Sequence, residues 1–315
     1  TIAPWLSVTS ILGARGTFYG AGLKENGSKF EKLSSFTRES FNFRSIIQGP
    51  KFNRIFKLNN STTKIKHLLE PRITYNYIPD MDKNDRLKIK KFDRIDTIAN
   101  AANSITFGFS QRLLKKIKVG PHEHKTRQLL RFNVSQTYNI REATKQKQPG
   151  ISRHPFSDIR FDLDSRPTDS LLFNSDALYN IETGSVNRFN FEAGIKPIKD
   201  LWLIMERRWT KNESNYILGT LDMSLKPGWR MQYSARYDEL ASTFRENQFS
   251  LLYDNPCKCW GFAFDVIDRK LSQTSGERDN QTQFLWTIKL RGFGNLGSKS
   301  KGKFVHRGFE NAFTP

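Results

Sequence analysis

Cysteine is almost missing from this sequence. Cys257 and Cys259 are the two present in 315 residues, which excludes a disulfide-dense scaffold. Twenty glycines are too few for a collagen-like chain. No segment approaches the ~18 consecutive apolar residues of a membrane-spanning helix, so a helical membrane protein is excluded. Acidic residues are scarce relative to basic ones, 31 against 51, for a formal charge of +20. Hydrophobic residues make up 37% and mean hydropathy is −0.61, thin for one large aqueous core. Aromatics, by contrast, are plentiful: 25 Phe, 9 Tyr and 6 Trp, which argues against intrinsic disorder.

The sequence opens at Thr1 without methionine or a charged-then-apolar leader, so a fragment or processed product is expected. The dominant period is two. In residues 131–140, Phe132, Val134, Tyr138 and Ile140 share one face, and Arg131, Asn133, Ser135 and Thr137 the other. Residues 188–195 and 229–237 alternate as cleanly; in the latter Trp229, Met231, Tyr233, Ala235 and Tyr237 oppose Arg230, Gln232, Ser234 and Arg236. Similar runs cover 104–113, 217–225, 248–253, 260–266 and 284–290, with less regular ones at 5–11, 41–46, 72–77 and 201–209. Such alternation predicts strands with one apolar and one polar face, and helical spacing is sustained nowhere. The chain reads as all-β.

Lys226-Pro227-Gly228 predicts a tight turn, whereas residues 115–128, 142–157 and 271–281 read as long charged loops. Aromatics gather near strand ends (Trp5, Phe18, Tyr19, Tyr75, Tyr77, Trp202, Trp209, Trp229, Tyr237, Trp260 and Trp286), as interfacial girdles require. Short turns alternating with long loops suit an antiparallel up-and-down transmembrane β-barrel. A soluble sandwich would show the same alternation with its apolar face inward. Long polar side chains on the polar faces and the low apolar content favour the barrel. A general porin is the alternative of the same class, and a basic soluble β-protein the alternative outside it.

Other motifs carry less. Residues 292–297 match G-x-G-x-x-G, but no helical pattern follows, so a dinucleotide site is not expected. His122-Glu123-His124 lacks a third ligand of suitable spacing, so no metal is expected. Asp162 and Asp164 share a face without a nucleophile, and no Gly-x-Ser-x-Gly elbow exists, so no catalytic residue and no cofactor are assigned. Basic residues are spread out instead of forming a patch, which disfavours nucleic acid. Cys257 and Cys259 sit two apart, at the edge of disulfide reach on a strand; they read either as two free thiols or as partners of cysteines outside this chain.

Specific stretches resemble one family. His67-Leu68-Leu69-Glu70-Pro71-Arg72-Ile73-Thr74-Tyr75-Asn76-Tyr77-Ile78-Pro79, then Phe92-Asp93-Arg94-Ile95-Asp96, Asn103 to Gly108 and Gln111-Arg112-Leu113 resemble LptD, the outer-membrane lipopolysaccharide (LPS) assembly family. Cys259-Trp260-Gly261 and Lys289-Leu290-Arg291-Gly292-Phe293-Gly294 are similar to its Cys-Trp site and terminal strand. The resemblance implies the C-terminal part of a large barrel, roughly 12–16 strands over residues 1–298, then a polar tail at 299–315. It implies an LPS translocon component in the outer membrane of a Gram-negative bacterium, not an enzyme, with a lateral seam strand near 283–293. Implied partners are LPS, outer-membrane lipid, the plug lipoprotein LptE, and a periplasmic bridge reached through an N-terminal domain. Family motif positions are Leu69, Glu70, Pro71, Phe92, Asp93, Asp96 and Trp260. The resemblance also implies that Cys257 and Cys259, here separated by Lys258, bridge to cysteines of that domain. With LPS as cargo, Arg131, Arg188, Arg230, Arg236 and Lys289 become candidate phosphate contacts in the lumen. Arg230→Glu with Arg236→Glu is then expected to lower LPS on the cell surface and to leave barrel assembly intact.

Overall fold

A computed structural model describes residues 3–20, 22–26, 29–33, 35–57, 64–80, 101–118, 120, 123–146, 150, 152–257, 259–270, 280–290 and 294–297. The strands are β1 (Ser7–Tyr19), β2 (Gly22–Asn26), β3 (Lys29–Leu33), β4 (Phe36–Gln48), β5 (Phe52–Lys57), β6 (Lys64–Ile78), β7 (Ala102–Lys118), β8 (His124–Asn139), β9 (Ile159–Thr168) and β10 (Leu171–Asn180). They continue with β11 (Ser185–Ile198), β12 (Leu201–Thr210), β13 (Ser214–Lys226), β14 (Trp229–Asp238), β15 (Thr243–Asp254), β16 (Trp260–Lys270), β17 (Asn280–Leu290) and β18 (Gly294–Gly297). Sixteen belong to one sheet in chain order, with β5 beside β6, while β2 and β3 form a separate hairpin. Sixteen is the top of the expected range. The runs of alternation found in the sequence fall in strands, except that Trp5 and Leu6 precede β1 and Ile140 follows β8.

Three expectations need correction. The charged stretch 115–128 is no long loop: β7 runs to Lys118 and β8 begins at His124. The ladder outlasts the alternation because strands of 17 and 16 residues exceed the roughly 9–11 needed to span hydrocarbon. Their ends therefore carry Lys115, Lys116, Lys125 and Arg127 without loss of backbone pairing. A short helix, α1 (Ile140–Thr144), occupies part of the 142–157 loop. Asn139 caps it, its Oδ1 accepting from the Glu142 N–H at 3.1 Å, through an Asn-x-x-Glu spacing not picked out from the sequence. The terminal strand is also divided, since Gly294–Gly297 turns back as β18 and pairs with Thr287–Leu290 of β17. A strand there removes the dinucleotide-loop reading of the glycine motif. Phe92, Asp93, Asp96, His122, Lys258 and residues 299–315 lie outside the described residues.

The chain divides into two compact units, Thr1–Arg112 with Asn133–Arg160, and Leu113–Phe132 with Phe161–Pro315. In the first, β4 and β5 form one interrupted strand against β6. Gln48 faces Arg72 and Phe52 faces Leu69, so Gly49, Pro50 and Lys51 oppose only Glu70 and Pro71. This is a bulge, the setting in which a strand proline is tolerated. The Pro71 carbonyl accepts from Gly49 N at 3.0 Å. Gly49 has φ +126°, and a Cβ there would lie 2.1 Å from the Trp5 carbonyl, so only glycine fits.

In the second unit, antiparallel neighbours send successive connections to alternate ends. Residues 169–170, 199–200 and 227–228 close one end; 181–184, 211–213 and 239–242 close the other. The Lys226-Pro227-Gly228 turn forms as expected, with Gly228 at φ +82° and Asp254 N donating to its carbonyl at 2.8 Å. Aromatic pairs mark both ends of one face. Tyr253 packs at a tilt against Trp229 (4.9 Å) and Trp260 (5.2 Å), and Tyr237 meets Phe244 edge-on at 5.2 Å. Trp229 and Tyr237 are eight residues apart on β14, about 27 Å along the strand and about 20 Å after a 40° tilt. That is close to the ~25 Å apolar band of outer-membrane barrels.

Candidate functional site

Which face is sequestered decides the class, and here the polar one is. Among the described residues Glu206 is 5% exposed, Asp222 3%, Glu246 5% and Asp265 7%, whereas Met205 is 50% and Phe284 67% exposed. Four hydrophobic side chains are buried among those residues: Leu172, Ile204, Leu218 and Ile267. A water-soluble fold has the opposite distribution.

A buried carboxylate is costly unless paired, and the polar face of the second unit pairs them across strands. Arg230 grips Asp222 with two guanidinium nitrogens, Nε donating to Oδ1 at 2.7 Å. Arg269 Nε donates to Glu246 Oε2 at 2.5 Å. Ser250 Oγ and Gln248 Nε2 both donate to Asp265 Oδ1, at 2.5 and 3.3 Å. Asn174 Nδ2 donates to Glu192 Oε1 at 2.9 Å, and Arg208 pairs with Glu206. The register places these side chains in rows, for example Glu192, Glu206, Leu218, Arg236 and Glu246 across β11 to β15.

The cations named from sequence fall into this network. Arg131 pairs with Asp164 and lies 3.8 Å from Asp162, so the two aspartates form a salt-bridge cluster. Arg188 Nε is 3.4 Å from Asp176 Oδ2. Arg236 lies over the Tyr216 ring at 5.6 Å, opposite Glu246 in register. Lys289 is exposed on the polar side of β17. The pairing changes one expectation: Arg230 compensates a buried carboxylate, so Arg230→Glu would set two carboxylates together, and intact assembly is no longer expected of that variant. The carboxylates Asp222, Glu246 and Asp265 were missed from sequence, although the alternation already placed them on the polar faces.

The first unit holds a second cluster on the Leu-Glu-Pro stretch. Glu70, 7% exposed, accepts from Arg112 and has Lys51 Nζ 3.7 Å from its Oε1. Two motif stretches 42 residues apart thus meet in one ion pair, and Lys51 comes from the bulge facing Pro71. Glu70→Gln should cost about 1.5–3 kcal/mol, the worth of a hydrogen bond to a charged group, since the Arg112 side chain left behind is 35% exposed and can be hydrated. A lowered melting midpoint of the heat-modifiable band checks this; an unchanged midpoint refutes it.

At the third site Cys257 and Cys259 are joined to each other, their Cα atoms 5.2 Å apart, beside Trp260 in the turn before β16. Neither thiol is free. Groups of three or more metal-ligating side chains do not occur among the described residues.

An antiparallel strand wall that exposes Phe and Trp and buries ion-paired carboxylates belongs to an outer-membrane β-barrel protein. The particular family follows from sequence: LptD, described as LPS transport system D, matches residues 1–217. That is more than two thirds of the chain, and the chain belongs to the LptD family. The match takes in the Leu-Glu-Pro stretch, while the Cys-Trp site and terminal strands lie beyond it. It makes this chain a component of LPS transport, in a family of transport components and not of enzymes. No curated protein matches the chain. Among solved structures, a mutant of the Rh. blastica porin aligns over 92% of this chain and 100% of its own at 8% identity and TM-score 0.37. A triple mutant of Rhodopseudomonas blastica porin covers the same shares at 8% identity and TM-score 0.34.

Proposed function

We propose that this chain is barrel wall of a translocon that inserts LPS into the outer leaflet of a Gram-negative outer membrane. LPS moves along the polar face, through the lumen, and leaves at a lateral seam of which β17 and β18 form the terminal strands. Family membership together with the sequestered polar face carries this reading. LPS is anionic and amphipathic, and a wall of paired cations offers its phosphates bidentate partners that are already oriented. Arg131 and Lys289 are the most accessible of these, while Arg230 and Arg188 hold the wall together and contribute to its field. LptE occupies the lumen as a plug, and the periplasmic bridge delivers LPS through an N-terminal domain. A photo-crosslinking residue replacing Gln232 on the polar face of the full-length protein in cells should capture LPS. Absence of an LPS adduct there would overturn the lumenal route.

The cysteine pair serves the same assembly by exchange. A thiolate of the N-terminal domain attacks one sulfur of the Cys257–Cys259 bond, forms the interdomain bridge and releases the other sulfur as a thiolate. Non-reducing electrophoresis of the full-length protein should then show a redox-sensitive mobility shift that Cys259→Ser removes. A mobility identical with and without reductant would dismiss the bridge.

A further inference from the structure

The apolar face of the second unit is not evenly filled. Across β11 to β14 the register sets Ala193, Met205, Gly219 and Ala235 in one row, with Leu203 and Tyr233 in the next. Three of the four residues in the first row have a methyl group or less, so the row sinks below its neighbours. An open, apolar-lined depression of about 490 Å3 lies there.

Gly219 is the informative member. It lies inside β13, and the ladders on both sides pass through it without a register shift. A Cβ built on it meets no atom within 4 Å, so nothing in this chain's own packing requires a glycine. Interior strand glycines weaken the strand and mark bulges, bends or places where a ligand approaches the backbone.

A cation stands at the rim. The outward residues of β12 run Leu201, Leu203, Met205, Arg207 and Trp209, so Arg207 follows the lining residue Met205 on the same face toward the 211–213 turn, with Trp209 beyond it. Arg207 Nη2 donates to Glu239 Oε2 at 2.9 Å and its side chain is 47% exposed. That turn shares its end with 181–184 and 239–242, which are longer than the two-residue connections opposite, and in outer-membrane barrels the longer connections face outside. An arginine and a tryptophan at the outer headgroup level, above an apolar trough, complement a lipid with phosphate on its headgroup and saturated chains below.

We propose that this depression is an LPS docking site on the outer wall, taking one acyl chain of lipid A over Gly219 while Arg207 pairs with a lipid A phosphate. The site rests on the reading that this wall stands in the outer membrane with LPS as cargo, but it lies on the face opposite the lumen. Newly delivered LPS would thus be held against the barrel before it joins the leaflet.

The test uses the full-length protein in cells, with a photo-crosslinking residue replacing Leu203 and, as a control in the same apolar row, Phe249. An LPS adduct is expected from the Leu203 position. It should fall at least fivefold when Gly219→Leu fills the trough and at least threefold with Arg207→Gln, the Phe249 adduct staying constant. Unchanged adducts in Gly219→Leu, a phospholipid or protein adduct in place of LPS, or equal losses at Phe249 would each overturn the site. If Gly219→Leu lacks the heat-modifiable band of the assembled barrel, Ala193→Leu narrows the trough from its other side and is read in the same way. Loss of the Gln232 adduct alone would fault the lumenal route and leave this site standing; loss of the trough-dependent adduct alone would do the reverse.

Discussion

Arg230→Gln should lower the stability of the assembled barrel by about 3 kcal/mol, the lower end of the cost of breaking a buried ion pair. Asp222 is the reason. It is 3% exposed, and both of its oxygens are satisfied by Arg230 across the β13–β14 hairpin. Removing the guanidinium leaves a charge that must be hydrated, protonated or expelled. The lower end applies because the Arg230 side chain is 32% exposed, so water can partly replace it. Replacing both partners, as Asp222→Asn with Arg230→Gln, removes the stranded charge and should recover most of the loss. Urea midpoints of the four proteins in a double-mutant cycle measure the coupling. A single variant as stable as the parent would show that the pair contributes nothing and that the polar face is simply wet.

Phe284→Arg should cost about 2–4 kcal/mol, the depth-dependent penalty for a charge on a lipid-facing strand position near the midplane. Phe284 is 67% exposed and lies midway along β17, opposite Val266. On a water-facing surface the same substitution would fall within ~0.5 kcal/mol of neutral. The adjacent residue Gln283 points to the polar side, so Gln283→Arg should change stability little. The quantity to measure is the amount of heat-modifiable protein recovered in the outer membrane. Equal recovery of the two variants would mean that the exposed aromatic face meets water, and the membrane assignment would fall with it.

Side-chain period was legible in the sequence because it is local. Residues two apart in an extended chain share a face whatever surrounds them, so the sets Trp229 to Tyr237 and Arg230 to Arg236 were separable at once. Charged strand ends hid the true lengths of β7 and β8, because hydropathy stops alternating where the strand leaves the hydrocarbon. The α1 cap at Asn139 and Glu142 went unread because it sits in a polar run with no helical periodicity. Resemblance brought the Leu-Glu-Pro stretch to notice without explaining it.

The amino-acid order alone determined that this is an alternating all-β chain with aromatic-rich strand ends, since that depends on nearest neighbours along the backbone. Tertiary structure decided which face is sequestered, that Glu70 meets Arg112 from 42 positions away, that Asp222 claims Arg230, and that Gly219 opens a trough under Arg207. Each of these depends on strand register, and register is set by pairing between distant segments that no local period specifies.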